Sequence, residues 1–131
     1  MGAIDCHQTA LSPEPPAAPG IALALAPRPS PASPLVVHGS FRLTPEQIEV
    51  LGGEPHRAVV LLVQHGPGHN VYVPFRDRVL FADDVTASES GVTGFFNLDV
   101  FELQGQFAAG TYHLSVSLGE LISPVLETLV Q

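Results

Sequence analysis

The chain has no lysine, no tryptophan and one cysteine, and each shortage excludes something. A lone thiol, Cys6, leaves no intrachain disulfide, so packing and hydrogen bonding alone must hold the fold. The five basic residues are all arginine and face 13 acidic ones, for a net charge of −8. A chain of that balance, with no basic stripe, repels phosphate backbones and anionic membranes, so nucleic acid is not an expected partner. No stretch approaches the roughly 20 apolar residues of a membrane-spanning helix. Residues 1–20 lack the basic start and apolar block of a signal peptide, which leans toward a cytoplasmic compartment. Met1-Gly2 and Cys6 each touch on an acylation signal. However, the sixth residue is Cys rather than Ser or Thr, and Ile4-Asp5 is a poor lipoprotein cleavage context, so lipidation is not expected.

What is present fits one domain: 131 residues, 45% hydrophobic and only 14% charged. Proline is abundant and concentrated at the start, from Pro13 to Pro34. Because proline fixes φ and removes a donor, residues 1–19 read as a disordered or extended arm, and residues 20–131 as the folded domain. Within the latter, Ile21–Ala26 alternates like a strand fit for a sheet edge, and the core domain spans 35–131.

From Leu35 the apolar residues recur at every second position, the period of strands. Val37, Phe41 and Leu43 share a face opposite His38, Ser40 and Arg42, and Gly39 interrupts the inward row as a bulge would. Thr44-Pro-Glu-Gln47 carries the signature of a helix start, and Gly52-Gly53 ends a helix of about two turns. Ala58–Val63 is apolar on both faces, as a central strand would be, and His65-Gly-Pro-Gly-His-Asn70 reads as a turn before Val71. Val79–Phe81 predicts a short strand and Ala82–Gly91 an acidic loop. Gly94–Leu103 predicts a further strand, whose apolar phase shifts near Val100 and implies a bulge or corner there. The clearest signal is Gly110–Leu118, alternating without error, before a closing strand over Ile122–Val130.

Short strands at near-regular spacing predict a mostly-β protein: a single antiparallel sandwich with one short helix. At Gly110-Thr-Tyr112, a Gly-x-Tyr entering the penultimate strand, the chain resembles bacterial immunoglobulin-like and fibronectin-like domains. The resemblance covers roughly residues 36–131 and implies an immunoglobulin-like fold. It also implies that Tyr112 turns a corner, its hydroxyl bonded to nearby backbone. It implies no particular activity, because the fold hosts many.

Candidate chemistry is sparse. His65 and His69 flank Gly-Pro-Gly at a spacing two metal ligands could use, and Asp83, Asp84 and Glu89 crowd an oxygen-rich loop that could hold calcium, with Asp99 a possible neighbour in space. His38 and His113 would form a titrating pair if their strands were adjacent. There is no Gly-x-Ser-x-Gly elbow and no phosphate-cradling loop, and Cys6 has no scaffold around it. No cofactor and no enzyme activity are expected. The reading favoured is a non-enzymatic interaction or structural module that meets a protein partner, or itself, through an edge strand. The alternatives are a metal-binding module and an accessory domain of a larger enzyme assembly.

Overall fold

The alternation of Gly110–Leu118 buries Tyr112, Leu114, Val116 and Leu118 and turns His113, Ser115 and Ser117 outward. This strand is the spine of one of two antiparallel sheets. The computed structural model describes residues 4–131; Met1-Gly2, weighed above for acylation, lies outside them. The strands are β1 (Gly20–Leu25), β2 (Val36–Leu43), β3 (Val59–His65), β4 (Gly68–Tyr72), β5 (Val85–Ser88), β6 (Gly91–Asp99), β7 (Gly110–Leu118), β8 (Leu121–Ile122) and β9 (Leu126–Val130). Two short α-helices, α1 (Pro45–Val50) and α2 (Val100–Gln104), join them, with 3-10 turns at Pro55–Ala58 and Ala82–Asp84. The first sheet has the order β1-β2-β6-β5; the second runs β4-β3-β7, with β8 and then β9 along the other side of β7. The mostly-β, two-sheet antiparallel architecture is the one the sequence predicts.

The core lies between the sheets, and one contact sets its shape. Gly39 on β2 stands opposite Phe96 on β6, and Phe41 on β2 stands opposite Gly94 on β6. Each ring lies over the facing glycine: a Cβ at Gly39 would sit 2.1 Å from the Phe96 ring, and one at Gly94 would sit 2.4 Å from the Phe41 ring. Both phenylalanines are wholly buried. Gly39 is therefore no bulge, because the β1-β2-β6 ladders run through it without a break. Its missing side chain is the seat of an aromatic one. His56 completes this corner, edge-on to Phe41 and Phe75 at centroid distances of 5.2 and 5.8 Å, with Nε2 donating to the Phe95 carbonyl at 2.8 Å.

Local signals explain most boundaries. Thr44 caps α1 through a reciprocal box: Gln47 N–H donates to Thr44 Oγ1 at 3.1 Å, and Thr44 N–H to Gln47 Oε1 at 2.8 Å. The phase shift near Val100 is a second helix rather than a bulge. Asp99 Oδ1 accepts from the Glu102 N–H at 3.2 Å, and Gly105 closes the helix in the left-handed region at φ 73°. The hairpin turn shrinks to Gly66-Pro67, so His69 lies within a strand. The acidic stretch holds a 3-10 turn and β5, while Val79–Phe81 forms no strand. The closing strand is split in two by Ser123, whose Oγ accepts from the Val116 N–H at 2.9 Å.

Two outcomes follow. Gly39→Ala should destabilise the fold by about 1–3 kcal/mol, read as a lowered urea midpoint at unchanged slope, because a methyl there must displace the buried Phe96 ring. Burial pushes the His56 pKa below its ordinary 6.5, against the bond to Phe95 and the charge of Asp84, which favour the proton. The unfolded chain then takes up this proton more readily than the folded one. Stability owed to His56 is therefore intact above about pH 6.5 and falls as pH drops below that. Urea midpoints measured from pH 7 to pH 5 should fall more steeply for the wild type than for His56→Gln; equal slopes would clear His56 of the effect.

Candidate functional site

A sandwich has two outer faces, and here they differ. The face of the first sheet is closed by the chain's own N-terminal arm, whereas that of the second is open among the described residues.

The arm expected to be disordered or extended lies extended along the outside of β2 and β6. Asp5 and Asn97 exchange backbone bonds at 3.1 and 2.9 Å. Asn97 Nδ2 donates to Asp5 Oδ1 at 2.6 Å and to the His7 carbonyl at 2.7 Å. Farther along, Ser40 Oγ donates to the Glu14 carbonyl at 3.1 Å and Arg42 Nε to the Pro16 carbonyl, while Arg78 holds the Ile4 carbonyl at 3.1 Å. Apart from Asp5, these donors read main-chain carbonyls. A proline-rich segment offers carbonyls freely while lacking N–H donors, so it suits such a surface. His38, expected on an exposed face, is buried under the arm, and its Nδ1 donates to Asn97 Oδ1 at 2.6 Å.

Cys6, His38 and Asn97 are the residue types of a cysteine nucleophile, its base and the base's orienting amide, but only the last two meet: Cys6 packs into the core beside Phe75 and Leu80, while His38 and Asn97 bond on the outer face. The chemistry does not follow. Among the described residues the sulfur has no hydrogen-bond partner, His38 included. Burial, with the Asp84 and Asp5 carboxylates adding to it and Arg78 opposing, pushes the thiol up to about 12. Such a sulfur stays protonated at neutral pH and acts as core filling. The amide of Asn97 is spent on holding the arm.

On the open face a polar row crosses four strands: His69 on β4, Gln64 on β3, His113 on β7 and Glu127 on β9 stand in register. His113 Nε2 pairs with Glu127 Oε2 at 2.7 Å, both substantially exposed. Around the row lie apolar side chains that alternation alone would not place outside. Val71 is 62% exposed, Val125 62%, Ile122 70% and Leu129 60%. Val71 stands opposite Leu62, and with Val125, His69 and His113 they line a shallow hollow of about 240 Å³. Apolar groups gathered around one hollow, as Leu62, Val71 and Val125 are, mark contact sites more often than single exposed residues do.

The other candidates fall apart in space. In the hairpin, His65 stands opposite Gly68 and His69 opposite Gln64, so the two imidazoles leave on opposite faces and do not face one ion. His65 stacks on Tyr112 at 4.3 Å between centroids and donates Nε2–H to the Ala109 carbonyl at 2.6 Å. Asp83 and Asp84 precede β5 and Glu89 follows it, a full strand apart, and Asp84 Oδ2 is taken by the Phe81 N–H at 2.8 Å. Asp99 caps α2 at the end of β6 remote from Glu89. His38 and His113 belong to different sheets, so they form no pair. Among the described residues no group of three or more His, Cys, Asp or Glu is placed to hold a metal ion.

Sequence periodicity missed the covering of the first sheet, because nothing in the spacing of His38 and Ser40 signals what lies on top of them. It also missed Val125 and Leu129 as surface residues, since it assigned no faces along the closing strand. Comparison of the chain with protein-family profiles, with curated proteins and with solved structures finds no match.

The grip on the arm has a direct readout in Cys6, which the arm itself carries into the core. Asn97→Ala removes the amide that holds Asp5 and His7, and labelling of Cys6 by a thiol reagent in native buffer should quicken roughly tenfold or more. Glu14→Ala, which leaves the carbonyl contact to Ser40 in place, should leave the labelling rate unchanged. Equal rates in the two variants would show that the arm is held by something else.

Proposed function

We propose that this domain is a non-enzymatic interaction module of the immunoglobulin-like kind, which receives a protein partner on the open face of its second sheet and along β4. The kinship in architecture rests on the two antiparallel sheets and on Tyr112, whose hydroxyl donates to the Ala108 carbonyl at 2.7 Å where the chain enters β7. One observation carries the functional reading. β4 is a terminal strand, and its Gly-His-Asn-Val-Tyr sequence has none of the lysines, carboxylates or prolines that blunt an open edge. The other edges are less inviting; that of the second sheet beyond β7 is broken between β8 and β9, and β9 carries Glu127. β5 has only four residues between acidic ends, and β1 has all its side chains at least partly buried. Ile21–Ala26, expected at a sheet edge, supplies the terminal strand of the first sheet, paired on its inner side with β2. A partner strand added to β4 would gain main-chain hydrogen bonds, and the hollow beside Val71 would select its side chains.

Affinity capture from the source cells should recover a partner with the wild-type chain and lose it with Val71→Asp, which sets a charge on the exposed edge and leaves the core untouched. Val79→Asp, at a still more exposed residue outside β4 and its hollow, serves as the control. Capture of the same proteins by all three chains would end this reading.

A further inference from the structure

The far end of the sandwich carries a second concave feature. Helix α1 has six residues, about 9 Å of rise, and none of them is buried. It is fixed at its start by the Thr44–Gln47 box and at its end by Leu51, whose N–H bonds the Gln47 carbonyl at 3.1 Å. Between α1 and the β7–β8 turn it leaves a groove of about 400 Å³ that no other of the described residues fills. That volume is typical of small-molecule sites, which are mostly apolar with a few polar groups that fix orientation.

The composition of the groove states what would fit. Leu43 and Leu118 form its floor, and Leu51 and Val50 its helical wall, with Val50 85% exposed. The polar groups are almost all acceptors. Glu46 and Glu120 are the charged side chains of the rim, and no basic side chain lines the groove. Glu120 is held in place by the Gln47 amide, which donates Nε2–H to Glu120 Oε1 at 3.3 Å while its own oxygen is committed to the helix cap. An uncharged apolar ligand would leave these carboxylates unused and an anion would be repelled. A cation on a short aliphatic chain satisfies both halves of the site.

We propose that the groove between α1 and the β7–β8 turn binds a small aliphatic ammonium or guanidinium compound. Its chain rests on Leu43, Leu51 and Leu118, and its charge lies between Glu46 and Glu120. The site is distinct from the β4 face and does not depend on it.

The test uses the full chain with labelled methyl groups, followed by NMR during titration with hexylammonium, hexan-1-ol or hexanoate. Hexylammonium should shift the Val50, Leu51 and Leu118 methyls with an affinity of about millimolar. Hexan-1-ol should bind roughly tenfold more weakly, since two exposed ion pairs are lost, and hexanoate should not bind. In a Glu46→Gln, Glu120→Gln double variant, hexylammonium and hexan-1-ol should bind alike; both positions are exposed, so the fold is not at risk. The preference should also shrink in high salt. Equal affinity of the wild type for the amine and the alcohol, a preference that survives the double substitution, or shifts confined to other methyls would each overturn the proposal.

Discussion

The fold depends on the interlock between two glycines and two phenylalanines on neighbouring strands. Gly39 receives Phe96 and Gly94 receives Phe41, so the rings lie flat over the strand opposite and the β2–β6 pair can carry large aromatics without prising the sheets apart. Everything else is built around that seat. His56 closes on the Phe41 ring and Phe75 on His56, and the aliphatic residues of β3 and β7 fill the facing layer. Register is fixed as well, because a slip of one residue would set each ring against a side chain instead of a gap. The same strands then present His38, Ser40, Arg42 and Asn97 outward in a fixed row, and that row grips the arm.

The asymmetry of the two outer faces follows from this arrangement. A sheet exposed on one side needs only one apolar face, and β2 looks like such a strand in sequence. The arm converts its polar side into interior by bonding Ser40 and Asn97, the latter in turn holding His38; among the described residues no buried polar side chain is left without a partner. The second sheet receives no such cover. Its polar row from His69 to Glu127 and its exposed Val71, Val125 and Leu129 form a mixed surface of the sort found where proteins meet.

Much of this was legible in the residues. The alternation of Tyr112–Leu118, the Thr44–Gln47 box, the central position of Val59–Val63 and the corner role of Tyr112 all rest on short-range chemistry, and each appears where its pattern lies. What was hidden depends on distant partners. Val100–Gln104 has apolar residues at a spacing that a bulged strand would also show, and only the Asp99 cap and Gly105 reveal a helix. β5 is masked by its acidic neighbours, because a four-residue edge strand needs few apolar groups. The placement of the hairpin histidines depends on pairing: a two-residue turn sets His65 and His69 on opposite faces, which spacing alone does not show. The ties from Asn97 to His38, Asp5 and His7 join residues far apart in the chain, and nothing local foretells them.

The passage between the sheets has a property of its own. As the chain leaves α2 and enters β7, the Tyr112 hydroxyl holds the Ala108 carbonyl and the His65 imidazole holds that of Ala109, two successive peptide groups gripped from two different strands. Gln104 adds a third tie by donating to the same hydroxyl at 3.0 Å. The crossover therefore carries no slack. Tension applied at the carboxyl end would reach the ladders of β7 before this loop could pay out any length, so under load the domain would yield by shearing its second sheet and not by lengthening the connection.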